Sequence, residues 1–300
     1  MARVKSMKRK AKTINTIIYV VLTIISIVWV IPIAWILFIS FNSESSRVAI
    51  SMLPKAGSNF IEVLQFYFGN LTFKHYVNLF TDPIDPYWRW FVNTFIVAAV
   101  TMVVNTFFIM AVAYTMSRLK FKGRKQLMSI NLILGMFPGF MSMIAIYNIL
   151  KLVNLTKSLV GLTLCYTMTS GMGFYVAKGF FDTVSKSLDE AARIDGATNA
   201  QIFYKIILPL SKPIIVYTLV QSFMGPWMDY IFCAIILGDA TDQYTVALGM
   251  YKWVTVQEKI NTKFVDFFAG SVLVSIPIMA VFLATQKYYI AGVTGGAVKG

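Results

Sequence analysis

The sequence predicts an all-α polytopic membrane protein with six transmembrane helices and a polar helical corner between the fourth and the fifth. Three observations predict it. Of 300 residues, 57% are hydrophobic and only 13% charged, where a soluble protein carries about 25% charged residues. Six apolar runs approach or exceed the roughly 20 residues needed to cross a hydrocarbon core of about 30 Å. The charges sit between those runs and not along an exposed stripe, so the net charge of +14 does not point to nucleic acid.

The elements follow in order. Residues 1–16 form a basic tail with Arg3, Lys5, Lys8, Arg9, Lys10 and Lys12. That tail resembles a signal-peptide n-region, but the uncharged run behind it is too long for a cleaved h-region. It reads as an uncleaved first span over 17–41. The segment 42–90 carries the turn signals Pro54-Lys-Ala-Gly57 and Asp82-Pro-Ile-Asp-Pro86, and between them 60–80 fits a short interfacial helix. Trp88, Trp90 and Phe91 make an aromatic belt where the second span, 91–114, begins. The third span, 127–150, contains Gly135-Met-Phe-Pro-Gly139. Proline there removes a helical hydrogen bond and predicts an inward-facing kink, fit either for packing or for a bend beside a path. The fourth span covers 159–177 and the fifth 214–237, which holds the only charged residue of any span, Asp229. Tyr244, Tyr251 and Trp253 in the loop 238–266 fit sugar or partner contacts, or an ordinary membrane interface. The sixth span, 267–286, closes a membrane domain over 17–290, and a tail 291–300 follows. Cys165 and Cys233 both fall in spans as small hydrophobes, with no disulfide framework implied.

Orientation follows from the basic residues. With the N-terminus inside, 18 of the 27 Lys and Arg residues lie inside. The short 2–3 loop, with Arg118, Lys120, Lys122, Arg124 and Lys125 and no acid, weighs most. Both termini are then expected in the cytoplasm.

Several chemistries are excluded. No Gly-Lys pair occurs, so the chain lacks a P-loop. The single histidine, His75, belongs to no cluster with metal-ligand spacing, and no nucleophile elbow appears. The chain is therefore expected to be no enzyme, with no metal and no cofactor of its own. Asp229 alone makes a thin proton or ion relay, which counts against an ion-coupled carrier.

The corner is the most specific feature. Ser187-Leu-Asp-Glu190 fits a capping box, Gly196 fits a left-handed helix end, and Thr198-Asn-Ala-Gln201 repeats the capping pattern. Pro209 and Pro213 stop the second helix. Ala191 and Ala192 leave a shallow face for another protein's groove. The helix-turn-helix character does not imply DNA binding, because a span lies on either side.

Glu190-Ala191-Ala192, Gly196, Ile206 and Leu208-Pro209 have the spacing of the EAA loop of ABC importer membrane subunits. Over nearly its whole length the chain resembles the carbohydrate branch of these permeases, in particular the smaller subunit of maltose and maltodextrin systems. The resemblance implies a bacterial plasma (inner) membrane and a cytoplasmic EAA coupling helix within a loop over 185–212. It implies a heterodimer with a second EAA-type permease subunit and two ATPase subunits that bind ATP and Mg and dock on Glu190, Ala191, Ala192, Gly196, Ile206, Leu208 and Pro209. It further implies an extracellular sugar-binding protein, a sugar substrate, and an interface between the ATPase and the C-terminal Gly295, Gly296 and Lys299. The expected substrate is maltodextrin or a similar oligosaccharide. A polyol or glycerol phosphate stays open, as do a stand-alone channel or carrier and a membrane scaffold.

On the fifth span Tyr217, Gln221, Met224 and Met228 lie within about 60° of one another. With Asp229 beside them they are candidates to line a sugar path, and helix–helix packing is the alternative.

Overall fold

The computed structural model describes residues 2–43, 57–168 and 172–297. Among them the ordered elements are helices: α1 Ala2–Ser40, α2 Phe60–Phe68, α3 Lys74–Thr81, α4 Tyr87–Arg118, α5 Arg124–Gly135, α6 Gly139–Leu152, α7 Leu159–Met168 and α8 Gly173–Thr183. They continue with α9 Lys186–Ile194, α10 Asn199–Ile202, α11 Leu208–Leu210, α12 Lys212–Met228, α13 Ile231–Leu237, α14 Val246–Thr255, α15 Gln257–Ile260 and α16 Phe264–Ala297. Four helical stretches are long and apolar enough to cross a membrane, and up to six if each of two bent pairs is one span.

Contacts divide the chain into two compact units, Met1–Thr81 with Trp253–Leu273 and Asp82–Lys252 with Val274–Gly300. In the first, α1 is exposed from residue 12 to residue 34. Its end is fixed: Ser40 Oγ meets the Tyr76 hydroxyl at 2.8 Å, and the Phe41 ring packs edge-on to Phe73. The expected interfacial helix over 60–80 is two helices, α2 and α3. Asn59 and Glu62 close a capping box at the start of α2. On α3 His75 is buried and its Nδ1 lies 2.6 Å from Asp266 Oδ1, while Lys263 Nζ reaches Oδ2 at 3.2 Å. A buried carboxylate needs such partners, and here they pin α3 to the first turn of α16.

The second unit is built on α4, which packs along α12, α8 and α7. Its buried face carries Val97, Ala98, Ile109, Met110 and Ala113, small enough in places for close helix approach. Asn105 Nδ2 donates to Ser222 Oγ at 3.1 Å between α4 and α12. At the start of α4, Trp90 Nε1 donates to Thr241 O, and Asn93 Nδ2 donates to Asp242 O and Tyr244 O. Lys157 Nζ and Asp239 Oδ1 lie 2.5 Å apart on the surface, and their hydrogen bond lowers the Asp239 pKa and raises that of Lys157.

Several expectations are corrected. The run expected as the third span is two helices, α5 and α6, bent by 103°. Pro138 cannot donate and opens α6 with extended backbone (ψ 123). Met136, Phe137, Phe140 and Met141 around the bend are all more than half exposed, so the bend does not turn into the chain's own core. The fifth span stops at Met228 and resumes as α13, because Asp229 leaves the helix with extended backbone. The loop 238–266 is largely helical, and two of its aromatics, Tyr244 and Trp253, are buried, while the Tyr251 ring stacks on Tyr230 at 4.0 Å. The fourth span comprises α7 and α8, and residues 169–171 between them lie outside the described residues. The sixth is one helix that runs on to Ala297 through the start of the expected tail.

Candidate functional site

The polar corner joins α8 to α12. Local rules set its first helix, though not at the expected serine. Ser185 is the N-cap of α9: its side chain accepts from Ser187 N at 3.3 Å, and the two hydroxyls lie 2.7 Å apart. The Ser187–Glu190 capping box does not form. Glu190 therefore sits inside the helix with its carboxylate exposed.

At the far end Gly196 has φ +81, the left-handed conformation its position calls for. Ala197 N donates to Ala192 O at 2.8 Å and Gly196 N to Arg193 O at 3.1 Å. Together they satisfy the last carbonyls as a Schellman motif does. The second capping box is present, with Thr198 N donating to Gln201 Oε1 and Gln201 N to Thr198 Oγ1. Helix α10 then widens into a π-turn over Phe203–Ile207, just before Pro209, which has no N–H to offer. The chain turns by 86° between Asn199–Leu210 and α12.

The site residues separate by face. Glu190, Ala191, Gly196 and Pro209 are exposed. Ala192 turns inward and joins a core with Ile109, Ala113, Tyr114, Phe181, Ile202, Phe203 and Ile207. The shallow outward face expected of the Ala pair thus rests on Ala191 alone. Ile206 and Leu208 are partly buried against the same core. Leu188 and Ile194, at i−3 and i+3 from Ala191, are 43% and 87% exposed. Both present apolar surface on an otherwise polar short helix.

The stripe on α12 divides: Tyr217 packs against the core that Ile109, Met110, Ala113 and Tyr114 of α4 help to build, and the rest lies further out. Gln221 and Met228 are exposed and Tyr217 and Met224 partly so, whereas Thr218, Ser222, Phe223 and Trp227 are buried. Asp229 is occupied by local work: Oδ1 accepts from Phe232 N at 3.0 Å, capping α13, and Oδ2 accepts from the Tyr166 hydroxyl at 2.9 Å. Gly295 and Gly296 lie near the end of α16, and Lys299 lies outside the described residues. Among the described residues no group of three His, Cys, Asp or Glu side chains is placed to hold a metal.

Sequence reasoning missed Tyr114, Ser117 and Arg118. All three sit at the end of α4 with i, i+3, i+4 spacing, and all three reach the corner or the helix that enters it. That spacing, on a helix end next to a polar loop, was the available signal.

Among the described residues the elements are helices, several of them apolar enough to cross a membrane, and an exposed polar corner joins two of them. The chain belongs to the family of binding-protein-dependent transport system inner membrane components, whose model matches residues 109–294. It is 33% identical over 263 residues to the galactooligosaccharides transport system permease protein GanQ of Bacillus subtilis (strain 168), covering 87% of each chain. It is 35% identical over 234 residues to the maltodextrin transport system permease protein MalD of Streptococcus pneumoniae (strain ATCC BAA-255 / R6), covering 77% of this chain and 81% of that one. Its fold matches a chain in the crystal structure of a bacterial ABC transporter involved in the import of the acidic polysaccharide alginate. There the TM-score is 0.72 at 21% identity, over 94% of this chain and 98% of the other.

Proposed function

We propose that this chain forms half of the path of an ATP-driven importer for a maltodextrin or a similar oligosaccharide. Its partners are a second EAA-type permease subunit, two ATPase subunits and an extracellular sugar-binding protein. The corner over 185–212 is the surface on which an ATPase docks, with Glu190, Ala191 and the turn at Gly196 outermost. The observation that carries this reading is the exposure of Glu190, Ala191 and Ile194 on a corner fixed by a left-handed glycine. The lack of a P-loop in the sequence supports ATP and Mg being bound on separate subunits. The oligosaccharide class is supported by relatives whose names carry galactooligosaccharide and maltodextrin transport. The basic residue bias supports both termini in the cytoplasm and the corner on the same side. The stripe Tyr217, Gln221, Met224 and Met228 is the candidate lining of the path, supported by the exposure of Gln221 and Met228.

The test is co-purification of the tagged chain in detergent, followed by ATPase assays with maltotriose, galactooligosaccharides and glycerol phosphate. The expected result is a complex holding an ATPase and a second permease, stimulated by an oligosaccharide with its binding protein. Sugar movement by the purified chain alone in liposomes would overturn the proposal.

A further inference from the structure

The cation at the end of α4 is not a free loop charge. Arg118 is 8% exposed and its side chain 1%. Its Nη2 donates to Phe181 O and to Val184 O, each at 2.7 Å. Both carbonyls lie where α8 runs out, at the end of a helix that leaves acceptors unpaired and carries partial negative charge. Arg118 Nε lies 3.5 Å from Asp189 Oδ2 on α9, and Asp189 is 4% exposed. That is an ionic contact and not a hydrogen bond; Nε, Nη1 and Asp189 Oδ1 have no hydrogen-bond partner. One guanidinium thus touches the end of α8, the linker and the helix that carries Glu190.

Its neighbours on the same helix face act alike. Ser117 Oγ donates to Asp182 Oδ1 at 2.5 Å, and Lys178 Nζ holds the other oxygen at 2.6 Å. The Tyr114 hydroxyl donates to Asn199 O at 3.1 Å, and its ring packs on Phe203 at 5.0 Å. The last turn of α4 therefore grips the corner before, within and after α9.

We propose that Arg118, with Asp189 as its buried counter-ion, is the positioning residue that makes α4 and the corner move as one body when an ATPase acts on the corner. A planar fork of donors suits this task, because it can bond two carbonyls and face a carboxylate at once. A lysine ammonium at the same place is a point charge and cannot span all three. The inference rests on the docking role proposed for the corner, and it adds which part of the chain receives the motion.

The experiment uses the assembled complex of the full chain with its ATPase and partner permease. Nitroxide labels at Lys120→Cys, just past α4, and Lys186→Cys, at the start of α9, report the distance between the two elements. In the parent protein that distance stays the same with and without ATP and Mg. In Arg118→Met and Asp189→Asn it changes with nucleotide, and maltotriose uptake per ATP hydrolysed falls about tenfold, within the usual range of coupling between sites. ATPase co-purification stays at the parent level, and Arg118→Lys restores part of the uptake. If Arg118→Met does not assemble, Asp189→Asn and Arg118→Lys carry the comparison. A parent distance that itself shifts with nucleotide, or variants with parent coupling, overturns the proposal. Loss of ATPase binding in Glu190→Lys alongside such a result would leave the docking role standing without the grip. Parent behaviour in Glu190→Lys and Gly196→Val would instead remove the docking role.

Discussion

Replacing Gly196 tests whether the corner depends on backbone conformation. The residue has φ +81, and a Cβ built there meets no atom within 4 Å. Any cost inside this chain is therefore conformational and not steric. An L-residue in the left-handed region costs roughly 1–2 kcal/mol, and a β-branched one lies toward the upper end of about 1–3 kcal/mol. The alternative is to unwind and lose the two bonds from Ala197 N and Gly196 N, worth about 0.5–1.5 kcal/mol each. The two costs are similar, so Gly196→Val leaves the corner either strained or open, and each 1.4 kcal/mol or so of strain lowers the ratio of closed to open corner about tenfold. Asparagine tolerates the left-handed region best. The expected order of maltotriose uptake and ATPase co-purification is Gly196 ≥ Asn > Ala > Val, with equal amounts of chain in the membrane. Parent activity in Gly196→Val refutes the reasoning. So does an equal loss in Asn and Val, which would place the partner's surface and not φ in control.

The other expectations follow from single contacts. Glu190→Lys, on an exposed position, changes stability by less than about 0.5 kcal/mol but lowers ATPase co-purification; unchanged uptake would count against the docking face. Gly249→Ala puts a Cβ 2.1 Å from the Trp90 ring and lowers the thermal stability of the detergent-solubilised chain by about 1–3 kcal/mol; an unshifted melting curve would contradict that close approach. Ser222→Ala destabilises by about 1–3 kcal/mol, because it strands the buried Asn105 amide; an unshifted melting temperature would be the contrary result. Cysteines at 217, 221, 224 and 228 should react with a water-soluble thiol reagent, more slowly with sugar and binding protein present; a transporting variant unlabelled along the stripe removes that face from the path.

The apolar runs were legible because hydropathy is a local property, and so was Gly196, because a left-handed helix end is a demand of four or five residues. The interruptions were only half legible. Pro138 announces a break but not 103°, and nothing near Asp229 says that its carboxylate will cap α13 and accept from Tyr166, 63 residues away. The start of α9 shows how tertiary contacts settle a local tie. Ser185 and Ser187 are both good caps, and Glu190 favours the second. Starting the helix at Lys186 lets Asp189 and Ala192, three apart, face inward to Arg118 and the core. Arg118 itself reads in the sequence as one more basic loop residue. Its partners lie 63 to 71 positions later, beyond any local pattern.

The two ends of α4 share a design. Trp90, Asn93 and Thr94 engage residues 241–246, and Tyr114, Ser117 and Arg118 engage the corner. Both sets have i, i+3, i+4 spacing, the one arrangement that puts three side chains on a single face within one turn. They are 24 residues apart, about 36 Å along the axis. Sharp helix kinks need a proline, a glycine or a bulge, and α4 has neither proline nor glycine between Tyr87 and Arg118. The runs expected as the third and fifth spans are by contrast interrupted, at Pro138 and at Asp229. A displacement delivered at Arg118 therefore cannot be absorbed within α4. It must reach Trp90 as a tilt or a turn of the whole helix, while α12 packed beside it ends at Asp229, a joint at which to yield.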